Sequence, residues 1–414
     1  GLNEMFVDAT KWVKKSLDFN KDQSVSFFET TIRCLGGLMA NYDLTKNKVF
    51  GRTDVSSIQY WQWISIVGSK FGHVSDQCLL LSILFICLLC LCLLLIISNI
   101  QQQISGSAHA AFWTGGSLLL AEVGTIQLEF KSCADRSNTP SLAESAVGVF
   151  KKMDPMRGGP SLPLRGQYPI FIDSNRVQYR NGHITWGAMG DSFYEYLLKY
   201  YLYEGKKDEY LKKMYIESVE GMLEHLYQKN KHTGLYFIAE WEDGRLDLKM
   251  DELACFSGGL LALGVMHEVL ENDDMVRRHT DAAKQLAETC YQMFSRVMCA
   301  IFFSFHSWRE GGQGGGWLFC LFLLQLQKKK VCVLIIGLKQ QKSGLSPEFM
   351  RYSEGEPYNG VDFYILRPET LETMFYLWRL TGDNKWREYG WNIFQSIENI
   401  AVWIHQKGVD ILQS

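Results

Sequence analysis

Several acidic residues stand where proton-transfer chemistry could use them. Glu369 and Glu372 lie three apart just behind Arg367-Pro368, so both carboxylates leave the same side of a helix mouth. Asp191 and Glu195 lie four apart where another apolar helix begins, and Glu252 opens a further one within Met250–Leu260. Glu29 precedes Arg33 by four and sits beside Phe27 and Phe28, on the rim of an apolar face. Each has a plain structural reading. A first-turn carboxylate suits the helix dipole, and a solvated Glu–Arg pair contributes only about 0.3–0.5 kcal/mol. Recurrence at successive helix starts points further. Several carboxylates around one cavity rimmed by aromatics are what glycoside hydrolysis uses: one protonates the leaving oxygen, another holds or activates water on the opposite face.

The elements that must position these groups are helices. Pro368 marks a start, because proline is tolerated in a first turn. Leu371, Met374, Phe375 and Trp378 follow as an apolar stripe, Gly382 ends the helix, and Asp383–Ile397 reads as its partner. Ser192 with Glu195 fits a capping box ahead of a stripe of Phe193, Leu197 and Tyr200. The first fifty residues read as a helix over Leu2–Ser16 and another after Ser24, with Phe28, Ile32, Leu35 and Met39 on one face. Ala121–Cys133, Ser141–Met153, Asp208–Tyr227 and Met275–Phe294 read as further helices. Leu235–Trp241 reads as a strand turning at Glu242-Asp243-Gly244. Helix pairs thus recur at roughly 60–70 residues, the signature of a helical toroid or solenoid. With alternate helices forming an inner ring, Glu29, Asp191, Glu252, Glu369 and Glu372 would face one cavity.

Composition narrows the alternatives. At 414 residues the chain can bury a large core as one large domain or two ordinary ones. A net charge of −3 without a basic stripe argues against nucleic acid. Twelve Trp, 19 Tyr and 24 Phe suit a helical core and equally a site that stacks on sugar rings. Of eleven cysteines, Cys78, Cys87, Cys90 and Cys92 lie in one apolar run and Cys299, Cys320 and Cys332 in a second unusual region. Cys34, Cys133, Cys255 and Cys290 lie in ordinary helical sequence, and a zinc site is not expected. The chain begins at Gly1 without a methionine, which reads as a fragment.

Two regions break the pattern. Cys78–Ile97 is twenty uncharged residues, long enough to cross a bilayer as a helix. It reads as a membrane span, an inserted hydrophobic helix, or translated non-coding sequence, the last being favoured because helical units of one domain flank it. Residues 299–341 hold a glycine cluster, Gly311-Gly312-Gln313-Gly314-Gly315-Gly316, without the Lys-Ser/Thr of a phosphate loop.

Three motifs in order carry a resemblance: Phe28-Glu29-Thr30-Thr31-Ile32-Arg33 with Leu35-Gly36-Gly37-Leu38, then Gly190-Asp191-Ser192-Phe193-Tyr194-Glu195-Tyr196-Leu197-Leu198-Lys199, then Leu366-Arg367-Pro368-Glu369-Thr370. Trp113-Thr114-Gly115-Gly116, the Ala121–Phe130 stretch, Met250–Phe256 and Ser346-Pro347-Glu348 support them. Together they resemble class I α-1,2-mannosidases, glycoside hydrolase family 47, over about 1–50, 113–297 and 343–398. The resemblance implies an all-α (α/α)7 barrel, incomplete here, with short connecting strands. It implies inverting, Ca2+-dependent removal of α-1,2-linked mannose from high-mannose N-glycans in the endoplasmic reticulum or Golgi lumen. By matching motif, Glu29 corresponds to the acid, and Asp191, Glu348 and Glu369 to the other active-site carboxylates, with Glu369 a candidate base. Arg33, Glu195, Arg367 and Glu372 match positions lining the sugar subsite. Cys255 and Cys290 resemble the family's disulfide pair, against the alternative of two buried thiols, and a disulfide fits an oxidising lumen.

Two departures qualify the expectation. Some members carry histidine where Glu252 stands. The family's further helix pair and its Thr-Glu-Ala-His segment, whose threonine binds Ca2+, are missing before Ser414, so no metal ligand is visible and the ion's affinity should suffer. The expected organisation is one catalytic barrel over 1–400, interrupted at 52–107 and 299–341, with an unrelated tail at 401–414. The alternatives are a lectin-like glycan binder of the same fold, acting in glycoprotein quality control, and a membrane protein anchored by residues 78–97.

Overall fold

A computed structural model describes residues 3–17, 27–47, 116–137, 140–173, 176, 178–307, 344–353, 355–361 and 363–407. The Cys78–Ile97 run, the Trp113-Thr114-Gly115 part of its motif and the 311–316 glycine cluster lie outside the described residues. Among the described residues no helix is long and apolar enough to cross a membrane. The chain divides into two compact units, residues 1–184 with 192–218 and residues 185–191 with 219–414.

The first unit opens with α1 (Asn3–Ser16) and a continuous helical stretch made of α2 (Phe27–Glu29), a π-helical segment (Thr30–Gly36) and α3 (Gly37–Thr45). A π-helix widens the turn and shifts the register of the faces. The buried positions are accordingly Thr31, Leu35 and Met39, while Phe28 and Ile32 stay half-buried. Strand β1 (Ser117–Leu119) leads into α4 (Leu120–Gly124), α5 (Gln127–Ser137) and α6 (Pro140–Met153). The single helix expected over Ala121–Cys133 is therefore broken at Thr125-Ile126. Gln127 makes the break affordable by supplying the missing partners. Its Oε1 accepts the Ile126 N–H at 3.0 Å, and its Nε2 donates to the carbonyls of Val123 and Ala146.

Strands β2 (Phe171–Asp173) and β3 (Gln178–Tyr179) complete an antiparallel sheet in the order β1-β2-β3. Helices α7 (Asp191–Tyr203) and α8 (Glu209–His225) follow. Helix α7 starts at Asp191, two residues before a Ser192 cap would allow. The Ser192 hydroxyl instead accepts from Thr125 at 2.8 Å, and Glu195 pairs with Lys199 one turn on. Phe150, Tyr168 and Phe193 form the aromatic centre of this core, with Tyr168 and Phe193 rings 4.7 Å apart. Phe193 lies so close to Gly124 that a Cβ there would stand 3.1 Å from the Phe193 Cβ.

The second unit begins with two hairpins, β4 (Tyr227–Lys229) with β5 (Tyr236–Ile238) and β6 (Glu240–Glu242) with β7 (Arg245–Asp247). The β6–β7 turn has Asp243 and Gly244 both at positive φ, as a tight two-residue hairpin loop requires. Strand β8 (Lys249–Asp251) joins β9 (Phe349–Arg351) and β10 (Tyr358–Asn359) in a sheet ordered β10-β9-β8. A 3-10 turn (Glu252–Cys255) carries β8 into α9 (Phe256–Met266), followed by α10 (Asp273–Ser307), α11 (Glu369–Thr381) and α12 (Asn384–Lys407). Helix α9 is buried on all sides from Phe256 to Gly264, as its unbroken apolar sequence requires. Burying a leucine such as Leu261 there is worth about 2 kcal/mol.

Helix α11 corrects one expectation. Its buried face is Thr370, Thr373, Met374 and Leu377, whereas Phe375 is 54 % exposed. The helix is turned away from its apolar stripe because both threonine hydroxyls find partners inside. Thr373 Oγ1 donates to the Cys255 carbonyl and accepts the Gly259 N–H at 2.6 Å. Gly259 admits this approach, since a Cβ there would meet Thr373 Cα at 3.1 Å. The start after Pro368 and the left-handed Gly382 cap stand where the sequence puts them.

Candidate active site

In the second unit, the acidic residues gather where the β8 turn meets the start of α11. The loop before α11 is held first by Tyr364, whose hydroxyl donates to the Arg367 carbonyl at 2.7 Å. Leu366 between them is 72 % exposed and takes φ +60°, a strained conformation for leucine that the flanking contacts impose. Arg367 then turns back onto Glu348, donating from Nε and Nη2 to Oε2 at 3.0 and 2.8 Å. The other oxygen of Glu348 accepts the Ile365 N–H at 3.1 Å. Both residues are mostly buried, which favours a charge-assisted pair.

Glu252 lies deeper. It is fully buried, its Oε1 accepts from Thr370 Oγ1 at 2.6 Å, and its backbone N–H donates to the Glu348 carbonyl at 2.8 Å. Its Oε2 has no hydrogen-bond partner among the described residues. Burial pushes this carboxyl well above the usual carboxylate range, and repulsion from Glu369 and Glu348 adds to it, against hydrogen bonds from Thr370. Glu369 and Glu372 sit in the first turn of α11, both half-buried. Burial likewise raises the Tyr364 phenol, with Glu252, Glu369 and Glu348 acting in the same sense. The structure therefore brings Glu252, Glu348, Arg367 and Glu369 into one electrostatic cluster, with a fully buried carboxyl whose pKa is raised beside an ion-paired one. A carboxyl in a dry environment close to one paired with a guanidinium is an arrangement general acid–base chemistry can use.

Asp191, also in this unit, opens α7 behind a tight turn. The Gly187 carbonyl accepts the N–H groups of both Gly190 and Asp191.

In the first unit, Glu29 and Arg33 form an ion pair across the π-helical segment, with side chains 46 % and 63 % exposed. A π-helical turn inside an α-helix is often a functional feature. Glu195 pairs with Lys199 on α7. Two further carboxylates stand here, both in the Ala121–Phe130 stretch, to which the motifs give no role. Burial, and then the charge of Glu29, raises the Glu122 carboxyl. Glu129 is buried, accepts from the Tyr196 hydroxyl at 2.8 Å, and is pushed up to about 7, chiefly by burial. Gly36 makes room for it, since a Cβ there would stand 3.0 Å from Glu129 Oε1. The available signal was the seven-residue spacing of Glu122 and Glu129, which puts both on one helical face. The break at Thr125-Ile126 disguises it.

Cys255 and Cys290 form the expected disulfide, with Cα atoms 5.8 Å apart. It ties the 3-10 turn that begins at Glu252 to α10. A calcium cage does not fit the residues described. Among them no three His, Cys, Asp or Glu side chains are placed to hold a metal ion. Both oxygens of Glu348 and the Oε1 of Glu252 are taken by Ile365, Arg367 and Thr370.

The model of glycosyl hydrolase family 47 matches residues 1–62 and 95–411, leaving out 63–94, which hold most of the Cys78–Ile97 run. A mannosyl-oligosaccharide 1,2-alpha-mannosidase of Arabidopsis thaliana is 32% identical over 405 residues, covering 96% of this chain and 58% of the relative. The endoplasmic reticulum mannosyl-oligosaccharide 1,2-alpha-mannosidase of Homo sapiens is 31% identical over 412 residues, covering 97% of this chain and 47% of the relative. The chain thus spans about half the length of the curated relatives it matches. Among solved structures, the alpha-1,2-mannosidase from Trichoderma reesei superposes with a TM-score of 0.62 at 20% identity, over 95% of this chain and 72% of that one. At that identity the likeness speaks for fold alone, and it bears out the all-α (α/α)7 barrel class with short connecting strands.

Proposed function

This chain belongs to glycosyl hydrolase family 47, and on that premise we propose that it hydrolyses terminal α-1,2-linked mannose from high-mannose N-glycans with inversion. The observation that carries the reading is the cluster of Glu252, Glu348, Arg367 and Glu369, in which one carboxyl is fully buried with its pKa raised and another is clamped by a guanidinium. Inverting hydrolysis needs a carboxylic acid to protonate the leaving oxygen and a carboxylate to activate water on the opposite face of the sugar. Glu29 is assigned as the acid and Glu369 as the base. Asp191 and Glu348 are the remaining carboxylates of the site. Arg33, Glu195, Glu252, Arg367 and Glu372 hold and orient the sugar.

Calcium dependence belongs to the same reading and rests on the family resemblance. The endoplasmic reticulum or Golgi lumen is the proposed compartment, supported by the Cys255–Cys290 disulfide, since such bonds persist where the environment is oxidising.

The test is release of mannose from a high-mannose oligosaccharide by the full chain, with and without EDTA. Release by the wild type and its loss in both Glu29→Gln and Glu369→Gln is the expected result. Full turnover by either variant would remove that residue from its role. Glycan binding without release would transfer the assignment to a lectin-like function.

A further inference from the structure

The helix that begins at Asp191 is preceded by a turn the chain should resist forming. Gly187 carries no Cβ, and one added there would overlap the Asp251 carboxylate. Met189 takes φ +75°, a left-handed conformation unfavourable for a residue with a side chain. The Gly187 carbonyl then accepts both Gly190 N–H, at 3.2 Å, and Asp191 N–H, at 2.9 Å. Strain of this kind persists only where surrounding contacts over-determine it.

Those contacts come from one side. Asp251 Oδ2 accepts the Ala188 N–H at 3.0 Å. Its other oxygen lies 2.9 Å from Lys249 Nζ, which is also 2.9 Å from Glu240 Oε1. That same Glu240 oxygen accepts from Thr185 Oγ1 at 3.2 Å, and Thr185 Oγ1 in turn accepts the Gly187 N–H at 2.8 Å. The network therefore grips the turn at both Gly187 and Ala188. Lys249 and Asp251 reach it together because alternate residues of a strand share a face, and they stand two apart on β8. All three ionic side chains are at least four-fifths buried, so the pairing is dry and directional. Asp251 is also joined through the chain to Glu252, whose N–H is fixed on the Glu348 carbonyl.

We propose that Asp251, braced by Lys249 and Glu240, is a positioning residue that fixes the Gly187–Asp191 turn and thereby aims the carboxylate of Asp191. The catalytic part of this inference rests on the mannosidase reading, in which Asp191 belongs to the site. The mechanical part stands without it.

The experiment uses the full chain and two readouts. In hydrogen exchange, Asp251→Ala should speed exchange of the Gly187–Asp191 amides by about tenfold or more. Asp251→Asn keeps an acceptor for the Ala188 N–H and should stay within about threefold of wild type there. Protection in α9 should be unchanged in both. Gly187→Ala, which pushes a methyl group onto the same carboxylate, should reproduce the local loss and serves if Asp251→Ala does not fold. In mannose release, Asp251→Ala should lower kcat by about tenfold or more with KM within about twofold, since it is geometry and not sugar contact that is lost. Asp251→Asn should recover most of that rate. Added to Asp191→Asn, Asp251→Ala should cost nothing further, as expected when one residue acts through the other. Unchanged exchange over 187–191 in both Asp251→Ala and Gly187→Ala overturns the proposal whatever the activity. A wild-type chain that releases no mannose overturns the mannosidase reading instead, and exchange still decides this one.

Discussion

Thr370 donates its hydroxyl to Glu252 at 2.6 Å, joining the first buried turn of α11 to a carboxyl that has no exposure to water. The pairing explains both why α11 turns a threonine inward and how a fully buried acid is tolerated. The Glu252 carboxyl has its folded pKa raised by burial and by Glu369. For a carboxyl shifted in this direction, the stabilising contribution is complete below the unfolded pKa and disappears as pH climbs through the folded one. Glu252→Gln carries no such dependence. Urea unfolding should find the variant gaining on wild type from about pH 4.5 upward, with the difference closing at lower pH. Thr370→Val removes the donor and keeps the shape, and it should cost about 1–3 kcal/mol at neutral pH in the same assay.

Arg367 reaches a single oxygen of Glu348 through two nitrogens, and that fork cannot be reproduced by an ammonium. Arg367→Lys should fold with near-normal stability, yet lower kcat/KM for mannose release by about tenfold to a hundredfold. Initial-rate kinetics at fixed pH would measure it. A rate within twofold of wild type would mean that charge alone is sufficient there.

Much of this architecture is legible in the sequence, and the parts that are not share a common cause. Pro368, Gly382 and the Asp243-Gly244 turn act through their own backbone preferences, so their effects appear where local chemistry puts them. The inward face of α11, the break at Thr125-Ile126 and the left-handed Leu366 and Met189 depend on partners distant in sequence. Thr373 looks polar until the Cys255 carbonyl and Gly259 N–H are brought to it. The candidate residues show the same division. Glu29, Asp191, Glu348 and Glu369 stand out by motif, whereas the Asp251–Lys249–Glu240 brace and the raised Glu129 arise from burial, which no local spacing encodes.

Glu129 offers a second pH test, in the first unit. Burial lifts its carboxyl from 4.5 to about 7, with the Tyr196 hydrogen bond pulling the other way. The favourable contribution is therefore whole below about pH 4.5 and drains away across pH 4.5–7, a swing of about 3 kcal/mol. Glu129→Gln keeps an acceptor for Tyr196 and removes the titration. Unfolding free energies of wild type and variant should diverge over that window, with the variant the more stable at pH 8. Parallel curves would show that the carboxylate is solvated in the ionised state.

The disulfide gives the last test, because its position couples stability to the site. Cys255 and Cys290 are 35 residues apart in sequence, and opening a loop of that size costs about 3–4 kcal/mol in the chain-entropy account. Cys255 also presents its carbonyl to the Thr373 hydroxyl, three residues after the buried Glu252. Replacing both cysteines by alanine should lower the urea midpoint and also quicken amide exchange in the Glu252–Cys255 turn. The two effects separate two mechanisms. A disulfide acting only on the unfolded chain would change the midpoint and leave local exchange below it untouched. One that also braces the native turn would change both, and reductant should then slow mannose release under conditions where the protein stays folded.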